Sequence, residues 1–219
     1  MDFSLVETIA LAAVPVVLAI TLHEAAHGYV ARHFGDATAW MLGRVTLNPL
    51  KHIDPIGTVL VPLGILLLSG GNFLFGWAKP VPVNFGNLRQ PKRDMLWVAA
   101  AGPAANFAMA LGWALLFGFA SGGSALAGDA VKYMSVIGVG INVSLMVLNL
   151  LPILPLDGGR IAVSLLPHSV ALPYSRTERY GLFIVIALLA TGILGTAMRP
   201  LMNGVIAIVE ALTGVELPD

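Results

Sequence analysis

The stretch His23-Glu24-Ala25-Ala26-His27 sets two imidazoles four residues apart, with a carboxylate beside the first. On a helix, positions i and i+4 share a face, so both rings project to the same side, separated by about 6 Å of rise. Two imidazoles placed that way can hold one zinc ion, and Glu24 falls beside it, where it can take a proton from water. The other role open to such a pair is hydrogen bonding to neighbouring helices. The setting weighs against it: the motif lies at the far end of a long apolar run, and ionisable groups within a membrane helix are costly and mark function.

Two histidines do not complete a catalytic zinc site, which usually takes three protein ligands and often pairs two His with one carboxylate. The chain has no cysteine, so the third ligand must be another His or one of its twelve Asp and Glu residues. Among the acids, Asp157 alone ends a long apolar span and is followed by Gly158-Gly159, which lets backbone approach closely. Asp-Gly-Gly is also good turn chemistry, so capping the following helix is the alternative role. An uncompensated carboxylate at that depth would be costly, which favours ligation. The expected centre is one Zn²⁺ per chain held by His23, His27 and Asp157.

The elements that must position these groups are membrane helices. Of the 219 residues 57% are hydrophobic and 11% charged, and the mean hydropathy is +0.85; soluble domains carry about 25% charged residues. The formal net charge of zero argues against a nucleic-acid partner, which needs a basic face. The expected fold is an all-α polytopic membrane protein, one domain over 1–219, with a core at 3–160 and C-terminal helices at 161–219. Four spans are predicted: residues 3 to about 33, Met95 to Ala120, Tyr133 to about Pro152, and Tyr180 to Met198. Pro200 should stop the last, leaving residues 201–212 as an interfacial helix. The first segment lacks the basic start of a secretory signal, and cleavage near Ala25-Ala26 would destroy the histidine motif, so it is read as retained.

Between the first two spans, Ala39 to Pro49 alternates loosely and predicts a short β-hairpin. Lys79 to Asn84 alternates with prolines suited to an edge strand. Ile56 to Trp77 is apolar but punctuated by glycines and Pro62. Both His23 and Asp157 lie at C-terminal ends of their spans and must reach one metal, so those spans run the same way. Met95 to Ala120 is the single crossing between them, which makes Ile56 to Trp77 a re-entrant segment. With that topology all twelve Lys and Arg except Lys132 and Arg199 share one face, the face of the metal site, which the positive-inside rule makes cytoplasmic.

Three motifs in order, His23-Glu24-Ala25-Ala26-His27, Ala101-Gly102-Pro103-Ala104-Ala105-Asn106, and Asn149 through Arg160, resemble the site-2 protease family of intramembrane zinc metalloproteases. The segments Gly43 to Pro49 and Gly76 to Val83 resemble its compact prokaryotic branch, which lacks the PDZ and CBS domains of other members. The resemblance implies that His23 and His27 ligate zinc, that Glu24 is the general base and that Asp157 is the third ligand. It also implies that Asn149 holds the substrate backbone or oxyanion and that Asn106 lies beside the site, a position from which Asn106 is expected to bind substrate. Read from residues alone, both asparagines could equally make helix–helix hydrogen bonds, worth about 0.6–2 kcal/mol.

The function expected is hydrolysis of peptide bonds in or near transmembrane helices of other membrane proteins, in the lipid bilayer of a prokaryotic inner membrane. A helix hides its peptide bonds, so the substrate must unwind, and the edge Val81, Val83, Asn84 and Phe85 could capture it by strand addition. The competing class is a membrane metal transporter. A transporter should spread its ligands along a path and often shows internal repeats, whereas here the ligands converge and no repeat is visible.

Overall fold

The computed structural model describes residues 3–52, 54–61, 64, 79–122 and 128–218, and every regular element among them is helical. Helix α1 (Leu5–His33) starts on a capping box: Ser4 Oγ accepts the Glu7 N–H and the Glu7 carboxylate accepts the Ser4 N–H. After a one-turn helix α2 (Thr38–Met41) the chain reaches two long helices, α3 (Pro91–Ser121) and α4 (Asp129–Leu150). Three shorter helices follow, α5 (Asp157–Leu165), α6 (His168–Ser175) and α7 (Glu178–Ala190), and α8 (Ile193–Thr213) closes the chain. Among the described residues four helices are long and apolar enough to cross a bilayer: 6–33, 91–121, 129–150 and 193–213. The protein is a multi-pass membrane protein.

Small residues line the interior. Ala110 and Ala114 of α3 pack with Val139, Val143 and Val147 of α4 and Val209 of α8. Small side chains let helix backbones approach, which matters where lipid removes the hydrophobic drive for association. Larger apolar groups face outward, among them Ile9, Leu115, Phe119 and Phe183.

Cross-helix contacts give the helix directions. Val98 meets His27, while Asn106, two turns further along α3, meets His23 and Ala19, so α3 runs antiparallel to α1. Gly138 lies against the Trp113 ring, and Asn142 bonds Asn106, so α4 runs antiparallel to α3 and parallel to α1. Met202 of α8 meets Ser144 of α4, and Val215, just past α8, packs on Gly118, so α8 runs with α3. The excursion between α1 and α3 closes on itself: Lys79 N–H donates to His52 O, and Arg89 N–H donates to Phe34 O, both at 2.9 Å.

Three expectations are corrected. The hairpin over Ala39 to Pro49 is absent: the segment holds α2 and a 3-10 turn at Pro49–Lys51. The backbone donors explain the difference: the N–H groups of Met41 to Arg44 go to carbonyls three to five residues back, which closes helical turns and leaves none of them for a cross-strand partner. Residues 79–84 form no strand: Pro80 and Pro82 have no N–H, and the Val81 and Asn84 N–H groups go to the side chains of Glu24 and Asp36 instead of a partner strand. The fourth predicted span, Tyr180 to Met198, is broken at Gly192, whose φ of 73° is left-handed and suits glycine. The spanning candidate is α8, which contains both Pro200 and the predicted interfacial stretch 201–212; membrane helices tolerate such a proline. The re-entrant segment Ile56 to Trp77 falls largely outside the described residues; its start, Pro55–Leu60, is π-helical.

Candidate metal centre

His23 and His27 lie on the face of α1 that meets α3, and Asp157 is the first residue of α5. The turn from α4 into α5 brings the carboxylate back over the histidines. Gly158 makes this possible, since a Cβ there would run into the carbonyl of Leu150. All three residues are buried.

The ring tautomers follow from their partners. His27 Nδ1 lies 2.7 Å from Val98 O, which can only accept, so Nδ1 carries the proton. His23 Nδ1 lies 2.6 Å from Asn106 Oδ1, and the Asn106 amide nitrogen donates to Asn142 Oδ1 at 2.9 Å and Ala19 O at 3.4 Å. Asn106 therefore presents its oxygen to His23, whose Nδ1 also carries the proton. Each neutral ring then has only a lone pair on Nε2.

Those lone pairs converge with a carboxylate oxygen. The two Nε2 atoms are 3.1 Å apart, and Asp157 Oδ2 lies 3.3 Å from His23 Nε2 and 3.4 Å from His27 Nε2. Asp157 Oδ2 is buried and accepts no hydrogen bond. Three acceptors facing one another in a buried space repel unless a cation lies between them. Ligands about 2.0–2.1 Å from a tetrahedral ion are about 3.4 Å from each other, which is the spacing found. The donor set, two imidazoles and a carboxylate, suits zinc. Among the described residues this is the one cluster of His and acidic groups able to hold a metal ion.

Gly102 forms the wall of the site. Its Cα faces both imidazoles so closely that a Cβ would overlap His27 Nε2 and His23 Cε1 and Nε2. Glu24 is half-buried, and its Oε2 accepts the Val81 N–H at 2.7 Å. The strap carrying Val81 is pinned on both sides. Arg44 donates to the carbonyls of Lys79 and Pro80, and Asp36 Oδ2 accepts the Asn84 N–H at 2.7 Å. Asp36 is fully buried; burial alone would raise its pKa, but hydrogen bonds from Thr38, Asn84 and Asn87 hold it below the usual carboxylate range.

The structure brings together His23, His27 and Asp157, with Asn106 against His23 and Val81 against Glu24. Asn106 is fully buried with its amide spent on His23, Asn142 and Ala19, so its contacts are with the protein, not with an open cleft. Asn149 is half-buried on the last turn of α4, its Nδ2 donating to Leu145 O at 2.9 Å. Val83 and Phe85 pack on the cluster of Ala31, Leu88 and Val98, with Arg160 over the Phe85 ring. Val98 O and Asn142 were not singled out from sequence. A carbonyl leaves no mark there, and a lone Asn in an apolar run reads as an ordinary interhelical bond.

Residues 118–192 match Peptidase family M50. The chain is 37% identical over 195 residues to the protein named "Putative zinc metalloprotease YwhC" of Bacillus subtilis, covering 87% of this chain and 84% of that one. It is 33% identical over 179 residues to "Putative zinc metalloprotease Rip2" of Mycolicibacterium smegmatis, covering 80% of this chain and 64% of that one. No solved structure matches.

Proposed function

The chain belongs to peptidase family M50, the site-2 type of intramembrane zinc metalloprotease, and from that premise we propose that His23, His27 and Asp157 hold its zinc ion while Glu24 moves the proton in peptide hydrolysis. The observation that carries this assignment is the convergence of two Nε2 lone pairs and an orphaned carboxylate oxygen at 3.1–3.4 Å. When bound, zinc supplies Lewis acidity that polarises the scissile carbonyl and acidifies water.

The chain's own residues do the rest. Val98 O and Asn106 Oδ1 hold the two imidazoles in the tautomer that ligates. Glu24 is oriented by the Val81 N–H on Oε2, which leaves Oε1 to accept a proton from the attacking water and deliver it to the leaving amine. Among the described residues Asn149 bonds only Leu145 O, and an amide nitrogen has a second hydrogen, so it can donate to the substrate carbonyl as negative charge develops there. Asn106 is assigned to holding His23 in place of substrate contact.

The substrate is a transmembrane segment of another membrane protein, unwound locally so that a peptide bond reaches Glu24. The strap can capture it by main-chain pairing on one side only, because Pro80 and Pro82 have no N–H. With the Val81 N–H occupied by Glu24, capture runs through the Val83 N–H and the carbonyls of Val81 and Val83.

The zinc end of the bundle faces the cytoplasm of a prokaryotic cell, and His52 and Lys79, the described flanks of the intervening segment, lie on the same side of the membrane. The bond between His52 O and Lys79 N–H, which brings the two flanks of that segment together, supports this topology. The charge distribution supports it as well. Since α8 runs with α3, Arg199, near its start, joins the basic residues of the zinc end, leaving Lys132 alone on the other face.

Glu24→Gln tests the assignment. The variant should retain zinc and lose cleavage of a membrane-protein substrate; cleavage at the wild-type rate would remove Glu24 from the reaction.

A further inference from the structure

Asn142 lies at the middle of α4, fully buried, and touches neither metal ligand nor Glu24 by any hydrogen bond it makes. Its Nδ2 donates to Gly138 O at 2.8 Å, and its Oδ1 accepts from Asn106 Nδ2 at 2.9 Å. Asn106 in turn, also fully buried, turns its Oδ1 to His23 Nδ1 at 2.6 Å. The three side chains form one directed line across α4, α3 and α1.

An asparagine amide is nearly symmetric in shape, so sterics alone do not decide which end faces His23. The choice has chemical consequences. With the oxygen toward His23, Nδ1 carries the ring proton and Nε2 keeps its lone pair for the metal. With the NH₂ toward His23, Nδ1 would have to accept, and the ring proton would move to Nε2, pointing between His27 and Asp157.

Gly138 O breaks the symmetry. A backbone carbonyl can only accept, so it orients the Asn142 amide with nitrogen toward itself and oxygen toward α3. That oxygen then needs a donor, which orients Asn106. Ala19 O supports the same orientation through a longer contact of 3.4 Å, leaving Asn142 the closer partner. In a membrane interior no water is at hand to satisfy a reversed amide.

We propose that Asn142 is a positioning residue of the metal centre: it fixes the orientation of the Asn106 amide and thereby keeps a lone pair, not a proton, on Nε2 of His23. The proposal rests on the assignment of His23 as a zinc ligand. Groups that hold a metal-bound histidine typically contribute 10–100-fold to metal affinity. One step removed, and with Ala19 O as partial substitute, Asn142 contributes toward the low end, about tenfold.

The test uses the purified full chain, with Zn²⁺ affinity measured by chelator competition and the Co²⁺ form examined by its ligand-field absorption. Asn142→Leu, close in volume but without the acceptor, should weaken Zn²⁺ binding about tenfold and shift the Co²⁺ bands. Asn142→Asp, a buried acid in its neutral form, can still accept from Asn106 and donate to Gly138 O, and should restore wild-type affinity. Ser135→Ala removes another fully buried polar group from α4, one bonded only to Val131 O, and should leave affinity unchanged. In an Asn106→Ala background, Asn142→Leu should have no further effect on Zn²⁺ affinity, because the two act through one line.

Wild-type affinity in Asn142→Leu, or losses that add in the double variant, would overturn the proposal. If Asn142→Leu does not accumulate as folded protein, Asn142→Ala carries the same expectations. His23→Ala and Asp157→Ala separate the two layers. If they abolish zinc binding while Asn142→Leu does not weaken it, only the relay is wrong. If they leave zinc binding intact, the ligand assignment is wrong and the relay falls with it.

Discussion

The backbone N–H of Val81 donates to Oε2 of Glu24 at 2.7 Å, across 57 residues of sequence. A half-buried carboxylate has several rotamers open to it, and a charge-assisted bond of this kind selects one. The strap over residues 79–84 thus helps to set where the Glu24 carboxylate, the proposed proton acceptor, points.

Val81→Pro removes that N–H while keeping the extended backbone that Pro80 and Pro82 already impose. Losing a hydrogen bond to a charged group costs about 1.5–3 kcal/mol, so kcat should fall about 10–100-fold with zinc content unchanged. Steady-state cleavage and metal analysis on the same preparation check this; an unchanged kcat would show that Glu24 needs no help from the strap.

Val83→Pro addresses substrate capture instead. It leaves the Glu24 bond in place and removes the donor proposed for main-chain pairing, so KM should rise more than kcat falls. Unchanged KM would take the strap out of substrate binding.

Gly102→Ala should empty the metal site. Alanine is the better helix former by about 1 kcal/mol, yet its Cβ would occupy the space of the two Nε2 atoms. Gly112→Ala, on the same helix with nothing within 4 Å of its Cβ position, should be harmless. Zinc content by atomic absorption distinguishes the two; full zinc in Gly102→Ala would contradict the packing described.

Asp36 gives a pH dependence with a defined sign. Its carboxyl is held below the ordinary range in the folded chain, so its stabilisation of the strap is fully present above the unfolded value of about 4. It is lost as pH falls through the lower folded value. Asp36→Asn lacks this contribution. Its thermal stability should lie below wild type at neutral pH, and the gap should close only in acid, below about pH 4. A gap that stays constant into strong acid would rule out the carboxylate as its source.

The topology can be read by cysteine labelling, since the chain has no cysteine of its own. Lys51→Cys and Arg89→Cys should label from one side of the membrane and Asp129→Cys from the other. Labelling of Lys51→Cys and Arg89→Cys from opposite sides would contradict this topology.

The cluster of His23, His27 and Asp157 was legible because its signals are local or scarce. A spacing of four places His23 and His27 on one helical face whatever the fold, and few carboxylates compete with Asp157. The parallel course of α1 and α4 followed from requiring both to reach one metal. Residues 39–49 and 79–84 misled because alternation marks a strand only when backbone donors find a partner strand; here Met41 to Arg44 donate to carbonyls of the preceding turn, and Glu24 and Asp36 take the Val81 and Asn84 N–H groups. Hydropathy runs unbroken through Thr191-Gly192, so the break there was invisible, and Pro200 looked like a stop although a membrane helix accommodates it. Asn142 carried no signal because its meaning lies in a partner 36 residues away.

The most direct measurement is zinc-edge X-ray absorption on the wild-type chain and on Asp157→Ala. The wild type should show one zinc per chain with two imidazole nitrogens and oxygen at about 2.0–2.2 Å, and Asp157→Ala should lose most of the metal. A wild-type spectrum without paired imidazole scattering, or full occupancy in both Asp157→Ala and His23→Ala, would contradict a zinc centre built from His23, His27 and Asp157.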